Sequence, residues 1–141
     1  MRETLCESVR EILNARFGRD TLIALATVDG DVPSVRTVNG YYENGAFYII
    51  THARSNKMKQ LARNPRAAVC GDWFTAHGNA VNLGWFCKSE NQRIAQTLRK
   101  VFEAWIDNGH NDFDDENTCI LRVDLTDGVL FADGKRYDIR F

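Results

Sequence analysis

Proline is scarce in this chain, and several other features that would define a function class are missing. Two of the 141 residues are proline and no low-complexity tract is present, which argues against a disordered protein. No apolar run approaches the roughly 20 residues that a membrane-spanning helix needs. The formal net charge of −1 provides no general electrostatic attraction for nucleic acid or an anionic membrane. We therefore expect any anion-binding site to be local.

The cysteines give no sign of a metal or redox centre. Cys6, Cys70, Cys87 and Cys119 are widely spaced, and no pair has C-x-x-C spacing. We interpret them as small buried hydrophobic residues that stay reduced. The first residues interleave acidic and apolar side chains and are not typical of a signal peptide. These features predict a cytoplasmic protein without a metal site.

Motifs for catalysis by the protein's own side chains are also absent. The chain has no Ser/His/Asp or Cys/His arrangement, no paired carboxylates, no HExxH and no P-loop. The sequence therefore identifies no catalytic residue. Any redox chemistry would have to come from a bound cofactor.

What the chain does contain predicts one domain, residues 1–141, with 44% hydrophobic residues to build a core. Thr4 and Glu7 form a capping-box pattern, and we expect the first helix to end at Gly18. Strands are expected at 21–28, 32–40 and 46–51, with turns at Asp29-Gly30 and Asn44-Gly45. A short helix then runs to about residue 63.

The second half predicts strands at 66–74 and 79–88, joined by a turn near His77-Gly78. A long helix is expected over 90–107, and three short strands follow, separated by turns at Thr126-Asp127-Gly128 and Asp133-Gly134. The total is six to eight antiparallel strands with about three helices. Because a sheet of this size tends to close on itself, we expect an α+β domain built on a small β-barrel.

The most informative segment is 33–65, where polar and basic groups gather at a helix start. Ser55 and Lys57 open the short helix, and Arg36 lies on the paired strand. A helix N-terminus has unpaired N–H groups and a positive dipole end, which together favour an anion. This pattern predicts a phosphate site. The alternative is that Ser55 is only an N-cap and Lys57 only a solvated surface residue.

The segment resembles the FMN-binding split-barrel family related to pyridoxamine 5′-phosphate oxidase, in particular its general-stress and nitroimidazole-reductase-like branch. The resemblance is carried by an ordered set of short motifs: Arg36-Thr37-Val38, Asn44-Gly45, Ile50-Thr51, Ser55-Asn56-Lys57 and Asn64-Pro65. It implies an antiparallel split β-barrel. It also implies a homodimer with FMN bound at the subunit interface.

The resemblance further implies roles for individual residues. The phosphate would be held by Arg36 and Lys57, with a hydroxyl or backbone donor from Ser55. The flavin ring would be lined by Thr37, Val38, Ile50 and Thr51. Two positions depart from the family: Asn56 stands where a basic residue is common, and Asn79 where a Gln contacts the ring. For Asn79 the alternative is an ordinary turn or strand-start residue.

Other residues near the expected ring have two interpretations each. His52 is either a ring-contact or proton-transfer residue, or a loop histidine without function. Trp73, Phe74 and Trp85 either cover the flavin and line the dimer interface, or pack in the core. The family's oxidases end in a segment bearing Trp, Arg and His, whereas this chain ends in RYDIRF. Oxidation of vitamin B6 phosphates is therefore not expected.

The resemblance implies an FMN-dependent oxidoreductase that passes hydride through flavin N5 from a small-molecule donor, such as a reduced nicotinamide, to a small acceptor. The acceptor is not identified. The alternative is a binding protein without turnover, holding haem, a deazaflavin, or flavin as carrier or sensor. Only His52, His77 and His110 offer imidazole ligands, and none lies in a haem motif.

Overall fold

A computed structural model describes residues 5–141. The first helix, α1, spans Glu7–Phe17 and buries Val9, Leu13 and Phe17 on one face. It ends at Gly18 as predicted, where the Gly18 N–H donates to the carbonyl of Asn14 at 2.9 Å. The predicted capping box involves Thr4, which lies outside the described residues.

Three antiparallel strands follow: β1 (Thr21–Asp29), β2 (Val32–Glu43) and β3 (Ala46–His52). The hairpin between β2 and β3 turns at Asn44 and Gly45, whose φ angles are 47° and 81°. Two successive positive φ angles make the turn type that matches the twist of hairpin strands, and Asn-Gly adopts it readily. The predicted hairpin is confirmed.

The remaining elements are α2 (Asn56–Arg63), β4 (Arg66–Gly71), β5 (Phe74–Trp85), α3 (Gln92–Val101), β6 (Thr118–Ala132) and β7 (Lys135–Arg140). A single 3₁₀ turn at Ser89–Asn91 precedes α3. Residues 5–141 thus form three helices and seven strands. No helix in this range combines the length and the hydrophobicity that a bilayer-spanning segment needs.

The sheet closes into a barrel. Its strand order is β3-β2-β1-β4-β5-β6-β7, and β3 also pairs with β6 from Ala46↔Asp124 to His52↔Thr118. Six strands therefore form the closed antiparallel barrel, and β7 extends it along β6. This confirms the predicted α+β split barrel.

The protein has two hydrophobic cores. The first fills the barrel and its ends, where Phe17 of α1 packs against Phe47 and Phe74 with ring centroids 5.7 and 5.4 Å apart. The second lies between α3 and the outside of the barrel. Its buried members include Phe86, Ile94, Leu98, Phe102, Ile106 and Ile120. The two cores hold the two faces of β3 in place.

Two predicted turns are wrong. His77-Gly78 lies inside the continuous strand β5, and Thr126-Asp127-Gly128 lies inside β6. The register shifts there, from His77↔Asp127 to Gly78↔Leu125, so Thr126 is the extra residue of a β-bulge. A Cβ on Gly78 would lie 2.7 Å from the carbonyl oxygen of Asp124. These glycines permit a close approach of two strands and do not reverse the chain.

Three further predictions need correction. The helix predicted over 90–107 ends at Val101 and continues as separate turns, although Phe102 and Ile106 remain buried. The predicted strand 66–74 ends at Gly71, because the chain turns at Asp72-Trp73, where Trp73 has a φ of 52°. Of the four cysteines, Cys119 is buried and the others are exposed.

Candidate anion-binding site

The end of β3 and the start of α2 bring three predicted site residues together. The Lys57 ammonium donates to the Thr51 hydroxyl at 3.0 Å. The Ser55 and Thr51 hydroxyl oxygens lie 3.4 Å apart. The loop between them is short because the Ser55 N–H bonds back to the carbonyl of His52 at 3.0 Å. Two hydroxyls and one ammonium therefore share one site.

Lys57 is half-buried, and its charge is costly there. Burial lowers the pKa of its ammonium, and the nearby Arg36 guanidinium lowers that pKa further, while Cys119 acts in the opposite direction. Cys119 lies directly across from Thr51 on β6, and burial raises the pKa of its thiol. The Arg36 charge thus lies near enough to Lys57 to disfavour the charged form of the lysine.

Arg36 reaches the same region from β2. Its guanidinium donates to the carbonyl of Leu25 at 3.2 Å, to the Thr27 hydroxyl at 2.7 Å and to the Gln60 side-chain oxygen at 3.1 Å. Burial lowers the pKa of this guanidinium. All three acceptors are neutral. Because a guanidinium has five N–H donors, two remain for another acceptor.

In the described part of the chain, neither cation has an acidic partner. Within residues 5–141, no carboxylate oxygen lies within 4.0 Å of Arg36 or Lys57, whereas Arg93 pairs with Glu43 at 2.8 Å and Arg122 with Asp124 at 2.7 Å. Half-buried positive charges are usually paired, so an unpaired couple indicates a site for an external anion.

The N-terminus of α2 adds backbone donors. Ser55 is the N-cap by position, but no side chain in the described part of the protein makes a cap hydrogen bond to this helix. The first turn contains no acidic residue. The first-turn N–H groups therefore have neither an intrahelical acceptor nor a side-chain acceptor. They suit a negatively charged group.

The structure places four other predicted residues as follows. Thr37 is exposed, across from Ala24 of β1, and Asn56 is the exposed first residue of α2. Val38 lies across from Ile23 and packs against the barrel core. Ile50 packs with the second core, under α3. None of these four side chains makes a hydrogen bond to the Arg36–Lys57 pair.

Asn79 lies in mid-strand, which excludes the turn interpretation. It stands between Arg66 and Asp124 on the neighbouring strands, and its side-chain oxygen accepts from Arg66 at 3.2 Å. The structure does not bring it to the Arg36–Lys57 pair. Asn82, three residues farther along β5, lines a groove beside α2 together with Met58 and Lys59.

His52 is held by local contacts. Its Nδ1 accepts from the N–H of Arg54 at 3.1 Å, and its Nε2 lies 3.2 Å from the Asp115 carboxylate. Since Nδ1 accepts, Nε2 carries the proton and donates to Asp115. Both ring nitrogens thus have partners in the loop, which favours a structural role for His52.

Trp73, Phe74 and Trp85, the aromatic residues considered as flavin or interface contacts, separate into two groups. Phe74 is buried in the barrel core, and the Trp85 indole N–H donates to the carbonyl of Phe113 at 2.8 Å beside the second core. Trp73 is 73% exposed and touches only the rim, with its ring 6.3 Å from that of Phe131. Core packing accounts for Phe74 and Trp85.

Sequence reasoning missed two residues of this site, Thr27 and Gln60. Thr27 is a buried polar residue within the apolar run TLIALATV, and such a residue needs a hydrogen-bond partner. Gln60 follows Lys57 by one helical turn and therefore lies on the same face of α2. Both signals were present in the sequence.

Comparison with known proteins gives this site a family context. Residues 7–128 match the family model described as pyridoxamine 5′-phosphate oxidase. The chain belongs to the pyridoxamine 5′-phosphate oxidase family. A pyridoxine/pyridoxamine 5′-phosphate oxidase from Rhodopseudomonas palustris is 48% identical over 54 residues, which cover 36% of this chain and 25% of that protein. The matched region thus spans about a quarter of the curated relatives' length.

Solved structures share the fold at low sequence identity. A NimC/NimA family protein from Clostridium acetobutylicum superposes with a TM-score of 0.66 at 18% identity, covering 94% of each chain. A haem-binding protein from Mycobacterium smegmatis gives 0.71 at 15% identity, covering 99% of this chain and 59% of that one. A pyridoxamine 5′-phosphate oxidase-related, FMN-binding protein from Nostoc punctiforme gives a TM-score of 0.54 at 17% identity, covering 94% of this chain and 90% of that one.

Proposed function

We propose that this protein binds FMN and that the phosphate is held by Arg36, Thr51, Ser55, Lys57 and the first turn of α2. The observation that carries the proposal is the unpaired, half-buried couple of Arg36 and Lys57. A phosphate group supplies the missing negative charge. Membership in the pyridoxamine 5′-phosphate oxidase family supports a flavin nucleotide as the source of that phosphate.

The residues present fit a phosphate group. Arg36 has two free N–H donors in a planar fork, while Lys57 contributes a compact charge beside two hydroxyls.

The backbone of Thr37 and Val38 is proposed to face the pyrimidine edge of the flavin, and Ile50 with Thr51 to line its other side. Asn56 replaces a basic residue, so Arg36 and Lys57 carry the charge recognition here. Asn79 would contact the flavin ring only if its side chain gave up the hydrogen bond from Arg66.

We propose an oxidoreductase that uses a reduced nicotinamide or similar donor and a small acceptor. Bound FMN would supply two-electron hydride transfer. The chain itself would anchor and orient the flavin, since no catalytic side chain has been identified.

A homodimer with the flavin at the interface is also proposed. Leu22, Val32 and Val35 on β1 and β2 are 59–69% exposed, although they are large and apolar. Val35 also lines a groove of about 240 Å³ together with Ala24, Ala26 and Ala68. A second copy would cover this surface, since exposed apolar patches of this kind mark interaction sites.

The first experiment is titration of the purified protein with FMN, followed by removal of excess and measurement of the absorbance spectrum. We expect one flavin per chain. Lys57→Ala should weaken binding by about tenfold or more, because a charge-assisted hydrogen bond is lost. Lys59→Ala, on the exposed side of the same helix, is the matched control and should bind as wild type does. Absence of flavin after excess FMN would contradict the proposal.

A second candidate is a haem-binding protein without turnover, favoured by the fold shared with the Mycobacterium smegmatis protein. Both ring nitrogens of His52 have partners, whereas His77 uses only Nδ1, which lies 3.0 Å from the Asp127 carboxylate, so His77 Nε2 is the nitrogen of these two rings that could bind haem iron without breaking a contact. Haem titration distinguishes the two: a Soret band that survives gel filtration supports haem, whereas a flavin spectrum supports FMN.

A further inference from the structure

Arg36, Thr27 and Gln60 form a closed ring of hydrogen bonds that joins β2, β1 and α2. Arg36 donates to Thr27 at 2.7 Å and to Gln60 at 3.1 Å, and the Thr27 hydroxyl donates to the same Gln60 oxygen. Thr27 is 1% exposed. With the Leu25 carbonyl as a third acceptor, the guanidinium is fixed on one side.

The acceptor from α2 is an amide, where a carboxylate of the same size would form an ion pair. Glutamate at position 60 would neutralise the charge of Arg36. The two remaining N–H groups of Arg36 would then belong to a site with less net positive charge. Glutamine holds the guanidinium by a weaker hydrogen bond but leaves its charge intact. The same helix carries Lys57 one turn earlier, so this ring also sets the distance between the two cations.

We propose that Gln60 and Thr27 are positioning residues that fix the Arg36 guanidinium beside Lys57 without neutralising it, so that the couple recognises a phosphate dianion. The inference rests on the proposed FMN binding. A preorganised guanidinium loses little conformational freedom when the anion arrives, which strengthens binding. The ring of hydrogen bonds among Arg36, Thr27 and Gln60 therefore favours binding of FMN over riboflavin, which has no phosphate.

The decisive variant is Gln60→Glu, which keeps the shape and adds one negative charge. We expect the FMN dissociation constant to rise by about tenfold or more. Riboflavin binding should be unchanged, and the melting temperature should be equal or higher because Arg36 gains an ion pair. Ala62→Glu adds the same charge at an exposed position of α2 and should leave FMN affinity near wild type. Unchanged FMN affinity in a folded Gln60→Glu protein would overturn the inference.

A second readout does not depend on flavin. The rotation of the Arg36 guanidinium can be measured by ¹⁵N NMR of the ligand-free protein. We expect slow rotation in wild type and in Thr27→Ser, which keeps the hydroxyl, and fast rotation in Gln60→Leu. If wild type binds no FMN, the proposed function fails, yet this measurement still decides whether the ring holds Arg36. Fast rotation in wild type would refute the positioning role.

Discussion

At the scale of single residues, the main feature is that the positive charge of Lys57 is unfavourable in the folded protein. Its ammonium is half-buried, lies within electrostatic reach of Arg36, and has a hydroxyl rather than a carboxylate as its partner. A chain under selection for stability alone would place an apolar residue here. Binding sites commonly retain such unfavourable charges because the ligand offsets them.

The cost predicts a pH dependence of stability. Burial and Arg36 lower the pKa of Lys57 below its ordinary value of 10.5, so the unfolded chain binds more protons than the folded protein between the two values. The contribution of Lys57 to the free energy of unfolding therefore rises with pH through that window, and its destabilising effect is fully present below the lowered pKa.

Lys57→Met removes this effect. We expect the free energy of unfolding without flavin to increase by about 1 kcal/mol at neutral pH, and the advantage over wild type to shrink as pH rises through the window. Urea denaturation of both proteins at several pH values measures this. An advantage that is independent of pH would show that desolvated charge is not the cause.

At the scale of elements, glycine determines how closely β5 and β6 approach. Gly78 and Gly128 both lie inside strands, and an added Cβ would meet backbone oxygens at 2.7 and 2.8 Å. The bulge at Thr126 falls between Leu125, which pairs with Gly78, and Asp127, which pairs with His77. Local sequence reasoning treats glycine next to polar residues as a turn, because the approach of a strand distant in sequence is invisible to it.

Gly78→Ala should therefore destabilise the barrel by about 1–3 kcal/mol, because backbone cannot move aside as a side chain can. The measurement is the urea midpoint. Thr75→Val, at an exposed position of β5 whose side chain makes no hydrogen bond within residues 5–141, is the control and should shift stability by less than about 0.5 kcal/mol. Equal effects of the two variants would show that the close approach is not what requires glycine.

The sequence predicted elements well where local signals were complete. Asn44-Gly45 specified its hairpin, and the spacing of Ser55 and Lys57 located α2 to within a residue. The end of α3 was missed because Phe102 and Ile106 continue the apolar periodicity after the helical hydrogen bonds stop. Burial was predicted correctly for Cys119 and wrongly for the other three cysteines, because an apolar neighbourhood in sequence does not state which side chains face outward; Cys70, for example, is exposed.

The candidate site was predicted in part for the same reason. Arg36, Thr51, Ser55 and Lys57 lie within one continuous segment, and the resemblance carried them together. Asn79 was assigned to the flavin ring by resemblance and stays a prediction; its side-chain oxygen accepts from Arg66 in this structure. The sequence marks Thr27 as a polar residue in an apolar run and places Gln60 one turn after Lys57, but that both side chains meet Arg36 is visible only in the folded structure.

At the scale of the whole molecule, one side of the barrel is unusually apolar for a surface. Leu22 and Val35 are 65% and 69% exposed there. The opposite flank of the barrel is covered by α3 and the second core. A molecule with one covered and one bare flank suits association through the bare one.

Val35→Asp tests the proposed dimer. Light scattering after gel filtration should show wild type at twice the mass of the chain and the variant as a monomer, because an aspartate in an apolar interface is desolvated without a partner. Ala104→Asp adds the same charge at an exposed position beyond α3 and should remain dimeric. A monomeric wild type at micromolar concentration would refute the dimer.

The closure of the barrel by β6 has a consequence for folding. Ile49 of β3 pairs with Leu121, and Phe74 of β5 pairs with Leu130, so one late strand completes both open edges of the earlier sheet. On the ribosome, β3 and β5 must wait as unpaired edges until this strand emerges. Contacts of such long sequence separation slow folding, and waiting edges invite pairing with other chains. Chaperone dependence should therefore be greatest for nascent chains that stop just short of Thr118.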